Sequence, residues 1–170
     1  LAGTEVIVAP GHDTAAAYDA MPAAPGGGDV FLSSGTWSIV GFESAAPLLG
    51  PDALAAGISN PRKGDGSFMP VTNVVGLWLL EGTLKDFATR PESAAAWARL
   101  IAAAEKLPAP TALLDVTDPA FANPPSMRAA IDAQLKRRQL KAPRDLAGYT
   151  RLICASLGQG HADCVRNFAR

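Results

Sequence analysis

The apolar residues in the first half of the chain form short runs that Gly, Pro and small polar residues interrupt. Residues 5–9 combine apolar and β-branched side chains and predict a buried strand. Asp13 can then cap a helix that runs to about Met21. Residues 30–32 and 37–40 are strand-like runs joined by a short polar segment, which predicts a hairpin.

The segment that follows the hairpin has weaker periodicity. Residues 47–66 are rich in Pro, Gly and Asp and predict mainly a loop, with a short edge strand near Ile58. Residues 68–72 have the composition of another strand. The first half of the chain is therefore expected to consist of strands and turns around one short helix.

Apolar residues in the second half recur at helical spacing and predict three helices. Their apolar faces consist of Leu77, Leu80, Leu84 and Phe87; of Trp97, Leu100, Ile101 and Ala104; and of Met127, Ile131 and Leu135. Thr89 and Glu92 have the spacing of a capping box for the second helix, and Asn123 before two prolines is typical of the start of the third. A long final helix is predicted over residues 144–168, although three glycines lower its propensity. Strands followed by helices indicate an α+β or incomplete α/β domain.

Composition narrows the class of protein without deciding its function. The 170 residues are 48% hydrophobic and 18% charged with a formal net charge of -1, which is typical of one or two globular domains. The absence of a basic excess and an aromatic content of 6% argue against nucleic-acid binding. No apolar run approaches the ~20 residues of a membrane span, and no signal peptide is visible at the start.

The two cysteines fall on the predicted final helix. Cys154 and Cys164 would be separated by about 15 Å along its axis, too far for a disulfide. Reduced thiols are typical of a cytoplasmic protein. With only His161 nearby, the set is too small for a structural zinc site, and no residue is assigned as a metal ligand.

Candidate chemistry comes from two short polar blocks. In the first, Asp13 can cap its helix, or it can accept the proton of an attacking hydroxyl. His12 can be structural or can donate a hydrogen bond to a polyol, and Thr14 is equally ambiguous. From the residues alone, both the structural and the functional interpretation of each side chain remain possible.

The second block is the segment that joins the two strands of the predicted hairpin. Residues 33–36 can form an ordinary turn, or a nest of N–H groups and hydroxyls suited to phosphate oxygens, in which Gly35 would let the backbone approach a ligand. Further along, Asn73 can be a helix N-cap or a polar contact to a ligand. No Walker-type motif is present, so a nucleotide site would have to be of another kind.

Taken in order, these blocks resemble the FGGY carbohydrate kinases. The matching residues are 9–15, 31–38, 41–44, 72–73, 76–80 and 123–124, and within the family they are most similar to the bacterial rhamnulokinases. The resemblance implies a two-lobed, actin-like and ribonuclease-H-like fold. It also implies Mg²⁺-dependent transfer of the γ-phosphoryl group of ATP to the 1-hydroxyl of L-rhamnulose. Fuculose, xylulose or a noncatalytic binding module are the alternatives.

The resemblance also assigns roles to single residues. His12, Asp13 and Thr14 correspond to the sugar-binding block, with Asp13 as the proton acceptor, and Asn73 corresponds to a further sugar-side position. Gly35 and Thr36 correspond to the ATP-facing turn. Glu81 occupies a further ATP position that is often Gln in the family. A carboxylate there cannot donate amide hydrogen bonds and repels phosphate unless Mg²⁺ or another cation intervenes.

The same comparison predicts how the chain is organised. Residues 1–25 are expected to end a sugar-binding N-terminal lobe, and residues 26–170 to begin an ATP-binding C-terminal lobe. The family's acidic, Gly-rich phosphate loop and its adenosine-binding glycines have no counterpart here. The chain is therefore expected to be a piece of a longer kinase, inactive until the remaining parts complete the site.

Overall fold

The computed structural model describes residues 3–5, 13–22 and 28–168. These residues belong to two compact units. The first consists of Leu1–Ser34 and Ser38–Asn73, and the second consists of Gly35–Trp37 and Val74–Arg170. The strand predicted at residues 5–9 lies, from residue 6 onward, outside the described residues, as do Gly11 and His12.

The first unit is built around a β-hairpin. Strand β1 (Val30–Ser34) pairs antiparallel with β2 (Trp37–Phe42), in a register that places Phe31 opposite Gly41. A third strand, β3 (Val71–Val75), completes a sheet of order β1-β2-β3. The predicted hairpin is confirmed.

Helix α1 (Asp13–Asp19) packs on this hairpin, and its prediction is also confirmed. Ala15 and Tyr18 are buried, and the Tyr18 ring lies 5.2 Å from the ring of Phe31. The Tyr18 hydroxyl donates to the Ile39 carbonyl at 2.9 Å, so the buried ring keeps a partner for its polar end. Burial also raises the pKa of Tyr18. These contacts fix the helix that carries Asp13.

The region between the hairpin and β3 differs from its prediction in two places. Helix α2 (Pro51–Ala55) forms where a loop was expected, because Pro51 stands at the first helical turn after Gly50 at φ 111°. Strand β3 begins three residues later than predicted, since Pro70 has no N–H to give to a ladder. The edge strand expected near Ile58 is a single bridge between Ser59 and Val71.

The second unit is helical. Helices α3 (Trp78–Asp86), α4 (Ala94–Glu105), α5 (Met127–Arg137) and α6 (Leu146–Phe168) form it, with a 3₁₀ turn at Pro119–Phe121. Helix α6 packs against α3 and α4, and α3 packs against α5. The predicted long final helix is confirmed despite its glycines.

One hydrophobic core holds these helices together. The predicted apolar face of α5 is confirmed, because Met127, Ile131 and Leu135 are all buried. They pack with residues of α3 and α6, including Leu79, Leu84 and Ile153. Each fully buried side chain of this size contributes roughly 1.5–3 kcal/mol to folding.

The helix caps predicted for the second half of the chain are wrong, including the N-cap alternative for Asn73. Asn73 lies in β3, because the β-branched Val74 and Val75 continue the strand, and the residue before α3 is Leu77. Thr89 belongs to the turn that ends α3, so the Ser93 side chain caps α4 instead. Helix α5 starts after the two prolines, with Ser126 as its cap.

The cysteines agree with the prediction. Cys154 and Cys164 are both free and lie on the single helix α6. Burial raises the pKa of both thiols.

No helix within the described part of the chain combines the length and apolar character that crossing a membrane requires.

Candidate active site

The candidate base lies at the first turn of α1. Asp13 is the first helical residue and is exposed, and Thr14 beside it is partly buried. The Thr14 N–H donates to Asp13 Oδ1 at 2.7 Å, and the Thr14 hydroxyl lies 3.4 Å from the same oxygen. A carboxylate is stabilised by the free N–H groups of a helix start. Asp13 thus lies inside the first turn rather than at the predicted N-cap position, with its side chain exposed.

The other sugar-side candidates are less well defined. Asn73 is exposed in β3, in the same compact unit as Asp13. His12 lies outside the described residues. The roles of Asp13, His12, Thr14 and Asn73 therefore stay predictions.

The hairpin turn, Gly35 and Thr36, is bound to the beginning of α3. The Leu77 N–H donates to the Gly35 carbonyl at 2.8 Å, and the Trp78 N–H donates to the Thr36 carbonyl at 3.0 Å. The first N–H groups of a helix have no partner inside it, so these two carbonyls replace a side-chain cap. The helix start thereby fixes the position of the turn.

Gly76 makes this close approach possible. A Cβ at that position would lie 2.3 Å from the Gly35 carbonyl oxygen and 2.8 Å from that of Thr36. Such distances are far inside van der Waals contact, so a side chain would push the turn away from α3. Gly76 was part of the motif that carried the resemblance, and the contact with the turn gives it a physical role.

The turn differs from the predicted nest in one respect. The Gly35 N–H donates to the Trp37 carbonyl at 3.1 Å and is therefore occupied within the turn. Thr36 is exposed and retains its hydroxyl toward solvent. The hydroxyl, rather than an array of N–H groups, is the group that this turn offers most directly.

Glu81 lies one helical turn beyond Leu77 and is paired with a cation. Its Oε2 is 2.5 Å from Nη1 of Arg90, whose side chain is 65% exposed. Arg90 reaches it because the chain reverses at Ala88, at φ 48°, directly after α3. The two residues are nine positions apart with no regular spacing, so the sequence carried no signal for the pair. Glu81 therefore has the intervening cation that phosphate binding would require.

Glu81 and Arg90 line an open groove of about 820 Å³, called the Glu81–Arg90 groove below. Lys85, Glu92 and the Trp78 side chain also line it, so two cations and two carboxylates surround an aromatic wall. The Trp78 indole is held by a 3.1 Å hydrogen bond from Nε1 to the Phe121 carbonyl. Trp78 also binds the turn through its backbone N–H, so one residue contacts the turn and lines the groove.

Gly35 and Thr36 thus bind the start of α3, and Glu81 lies about one turn further along the same helix, within the same unit. The residues predicted to bind sugar belong to the other unit. Within the described ranges, no three His, Cys, Asp or Glu side chains cluster in a way that would hold a metal ion.

The fold is of the α+β class, with a small antiparallel sheet and a helical layer, as expected for part of a sugar kinase. Residues 30–170 match the model of the C-terminal domain of the FGGY family of carbohydrate kinases. Because the match covers most of the chain, this protein belongs to the FGGY family of carbohydrate kinases. Membership identifies it as a kinase domain and associates it with sugar phosphorylation.

Proposed function

We propose that this chain binds MgATP and takes part in phosphorylating a ketose, with L-rhamnulose converted to L-rhamnulose 1-phosphate. Family membership supports the kinase chemistry. The observation that carries the nucleotide assignment is the pair of hydrogen bonds that anchor the Gly35–Thr36 turn to the start of α3, the helix that also lines the Glu81–Arg90 groove. A hydroxyl on an anchored turn and a cation in the same unit are suited to polyphosphate.

On the nucleotide side, Thr36 would contact ATP through its hydroxyl and Gly35 would allow close approach of the backbone. Arg90 would offset the charge of Glu81 and present its remaining N–H groups to phosphate oxygens. Mg²⁺ would arrive with ATP as part of the substrate. It would neutralise charge on the transferring phosphoryl group.

On the sugar side, Asp13 would accept the proton of the attacking hydroxyl. The 1-hydroxyl oxygen forms a bond to the γ-phosphorus, the bond from that phosphorus to the ADP oxygen breaks, and the hydroxyl proton passes to the carboxylate. His12, Thr14 and Asn73 would hold the sugar hydroxyls. The exposure of Asp13 and its place at a helix start support this role.

The test is Asp13→Asn in the active kinase that contains this chain. Turnover should fall by about 10²–10⁴-fold while the Kd for the sugar, measured by calorimetry, stays unchanged. Asp52→Asn, at an exposed carboxylate on α2, is the matched control and should retain activity. Near-normal turnover of the Asp13 variant would remove this residue from the base role.

The sugar itself is proposed on the motif resemblance, and a panel of L-rhamnulose, fuculose and xylulose tests it. L-Rhamnulose should give the highest kcat/KM; a higher value for another ketose would reassign the substrate.

A noncatalytic module is the second candidate function, suggested by the carboxylate at position 81. Sugar and ATP binding without any turnover would favour the module, whereas the Glu81–Arg90 pair favours the kinase.

We also propose a cytoplasmic location. The two free cysteines are consistent with a reducing compartment, where ATP is the common phosphoryl donor. Fractionation of the source cells tests this, and recovery with an oxidising compartment would contradict it.

A further inference from the structure

A second cavity lies in the helical unit, between the end of α5, the start of α6 and the segment that follows α4. It has a volume of about 480 Å³ and shares no lining residue with the Glu81–Arg90 groove. Its walls are mostly apolar, with Leu107, Leu135, Leu140 and Leu152 among them. A cavity of this size and lining is within the range of small-molecule sites.

The charged residues that line this cavity all have one sign. Lys141 and Arg151 both line it, and no Asp or Glu does. In the described part of the chain neither forms a salt bridge. The cavity, called the Lys141–Arg151 cavity below, therefore combines an apolar body with two uncompensated positive charges.

Arg151 gives an independent indication of a missing acceptor. Its Nε is fully buried and has no hydrogen-bond partner among the residues that the structure describes. Buried N–H groups of native proteins are nearly always paired, because leaving one unpaired is unfavourable. The buried Nε is out of reach of a ligand in the cavity, so it shows only that no described protein group accepts from this part of the guanidinium.

The backbone at the cavity rim is held in an unusual conformation. Gln139 has φ 57° directly after α5, a position that normally favours glycine. Its N–H donates to the Lys136 carbonyl at 3.0 Å, and the Leu140 N–H donates to the Leu135 carbonyl at 2.9 Å. These two hydrogen bonds close the end of α5, and the reversal brings Gln139, Leu140 and Lys141 to the wall of the cavity.

We propose that the Lys141–Arg151 cavity is a binding site for a small organic anion with an apolar body, such as a medium-chain carboxylate. The apolar walls would enclose the hydrocarbon, and Lys141 and Arg151 would hold the carboxylate. Because no carboxylate of the protein lines the cavity, a cationic analogue would be repelled. This site is independent of the kinase chemistry.

The experiment compares octanoate, octylammonium and acetate, using calorimetry and displacement of anilinonaphthalene sulfonate. Octanoate should bind at least about tenfold more tightly than either of the others. Only octanoate has both a hydrocarbon chain for the apolar walls and a negative charge for Lys141 and Arg151. Lys141→Met and Arg151→Met should each weaken octanoate binding by about tenfold or more. Lys136→Met, at an exposed cation of α5 outside the cavity, is the matched control and should leave binding unchanged.

Lys141 is exposed, so its replacement leaves the packed core intact and tests the site even if the Arg151 variant folds poorly. Equal binding of octanoate and octylammonium would overturn the proposal, as would octanoate affinity that the Lys141 variant does not change. Absence of octanoate binding by both methods would overturn it as well. None of these outcomes bears on the assignment of the kinase.

Discussion

Single residues decide how the hairpin turn, α3 and the segment after α3 meet. Gly76 allows the backbone before α3 to approach the hairpin turn, and Arg90 forms an ion pair with Glu81. Trp78 joins the two features, because its N–H binds the turn and its indole lines the groove. Each acts through a contact that depends on its exact shape or charge.

Gly76→Ala should displace the turn. We expect a loss of about 1–3 kcal/mol in the free energy of unfolding from overpacking, and ATP affinity reduced about tenfold or more. Urea denaturation and calorimetry measure the two effects. Gly158→Ala is the control, because a Cβ there meets no atom within 4 Å and should stabilise α6 by about 1 kcal/mol. Unchanged ATP affinity in Gly76→Ala would show that the turn does not bind the nucleotide.

Ala88→Gly should have the opposite effect on stability. At φ 48° the alanine Cβ is strained, and glycine relieves that strain, so the free energy of unfolding should rise by about 1 kcal/mol. Ala103→Gly, at an exposed position inside α4, should instead lower it by about 1 kcal/mol. A destabilised Ala88→Gly variant would contradict the left-handed conformation.

At the scale of elements, buried polar groups hold the connection before α5 in place. Gln134 is buried on α5; its side chain accepts from the Asp115 N–H at 3.0 Å and donates to Asp118 Oδ2 at 2.9 Å. Arg137, in the last turn of the same helix, pairs with that Asp118 oxygen at 2.6 Å. The 3₁₀ turn that Asp118 caps carries Phe121, the acceptor of the Trp78 indole. The groove wall is therefore supported by α5.

This arrangement predicts that the stability of the protein falls at acidic pH. The hydrogen bond from Gln134, followed by that from the Ala120 N–H, lowers the pKa of Asp118 below its ordinary value of 3.8. The stabilisation is therefore fully present above pH 3.8 and is lost as the pH falls through the lowered folded-state pKa. Asp118→Asn should be less stable than the parent at pH 7, and the difference should shrink below pH 3.8 in urea titrations.

Asp52→Asn is the control for this titration, because Asp52 is exposed on α2. Because Asp118 is intact in this variant, its stability should show the same loss below pH 3.8 as that of the parent protein. A constant difference between Asp118→Asn and the parent protein from pH 7 down to pH 2 would contradict the prediction.

At the scale of the whole molecule, the predicted functional residues are divided between the two compact units. The predicted base lies in one unit, and the predicted nucleotide contacts lie in the other. The family match is to a C-terminal domain, whereas phosphoryl transfer requires both substrates to be enclosed and water to be excluded.

We therefore expect the 170-residue chain by itself not to phosphorylate L-rhamnulose. A coupled assay of ADP release, with the chain and MgATP, measures this. The control is the same assay with the active kinase that contains this chain, which should show turnover. Sustained ADP formation that depends on the sugar, in the chain alone, would show the expectation to be wrong.

Sequence patterns predicted the elements better than their ends. The hairpin and the four long helices follow from periodicity, which depends on neighbours a few residues away. The caps at Asn73, Thr89 and Asn123 were wrong, because each of those ends is fixed by a competing local or long-range contact. The Gly35 and Thr36 carbonyls that bind the start of α3 come from a segment about forty residues earlier, which no local pattern reports.

The sequence by itself determined the order of strands and helices and the α+β class, because these follow from the local spacing of apolar residues. It also determined the kinase family, because the family motifs occur in order along the chain. Only the tertiary structure decided that Gly76 seats the turn on α3, that Arg90 pairs with Glu81, and that Lys141 and Arg151 share a cavity. The physical reason is that these contacts depend on chain reversals. At Ala88 and Gln139 the chain reverses through a left-handed backbone conformation, which alanine and glutamine rarely adopt and which the sequence therefore does not predict.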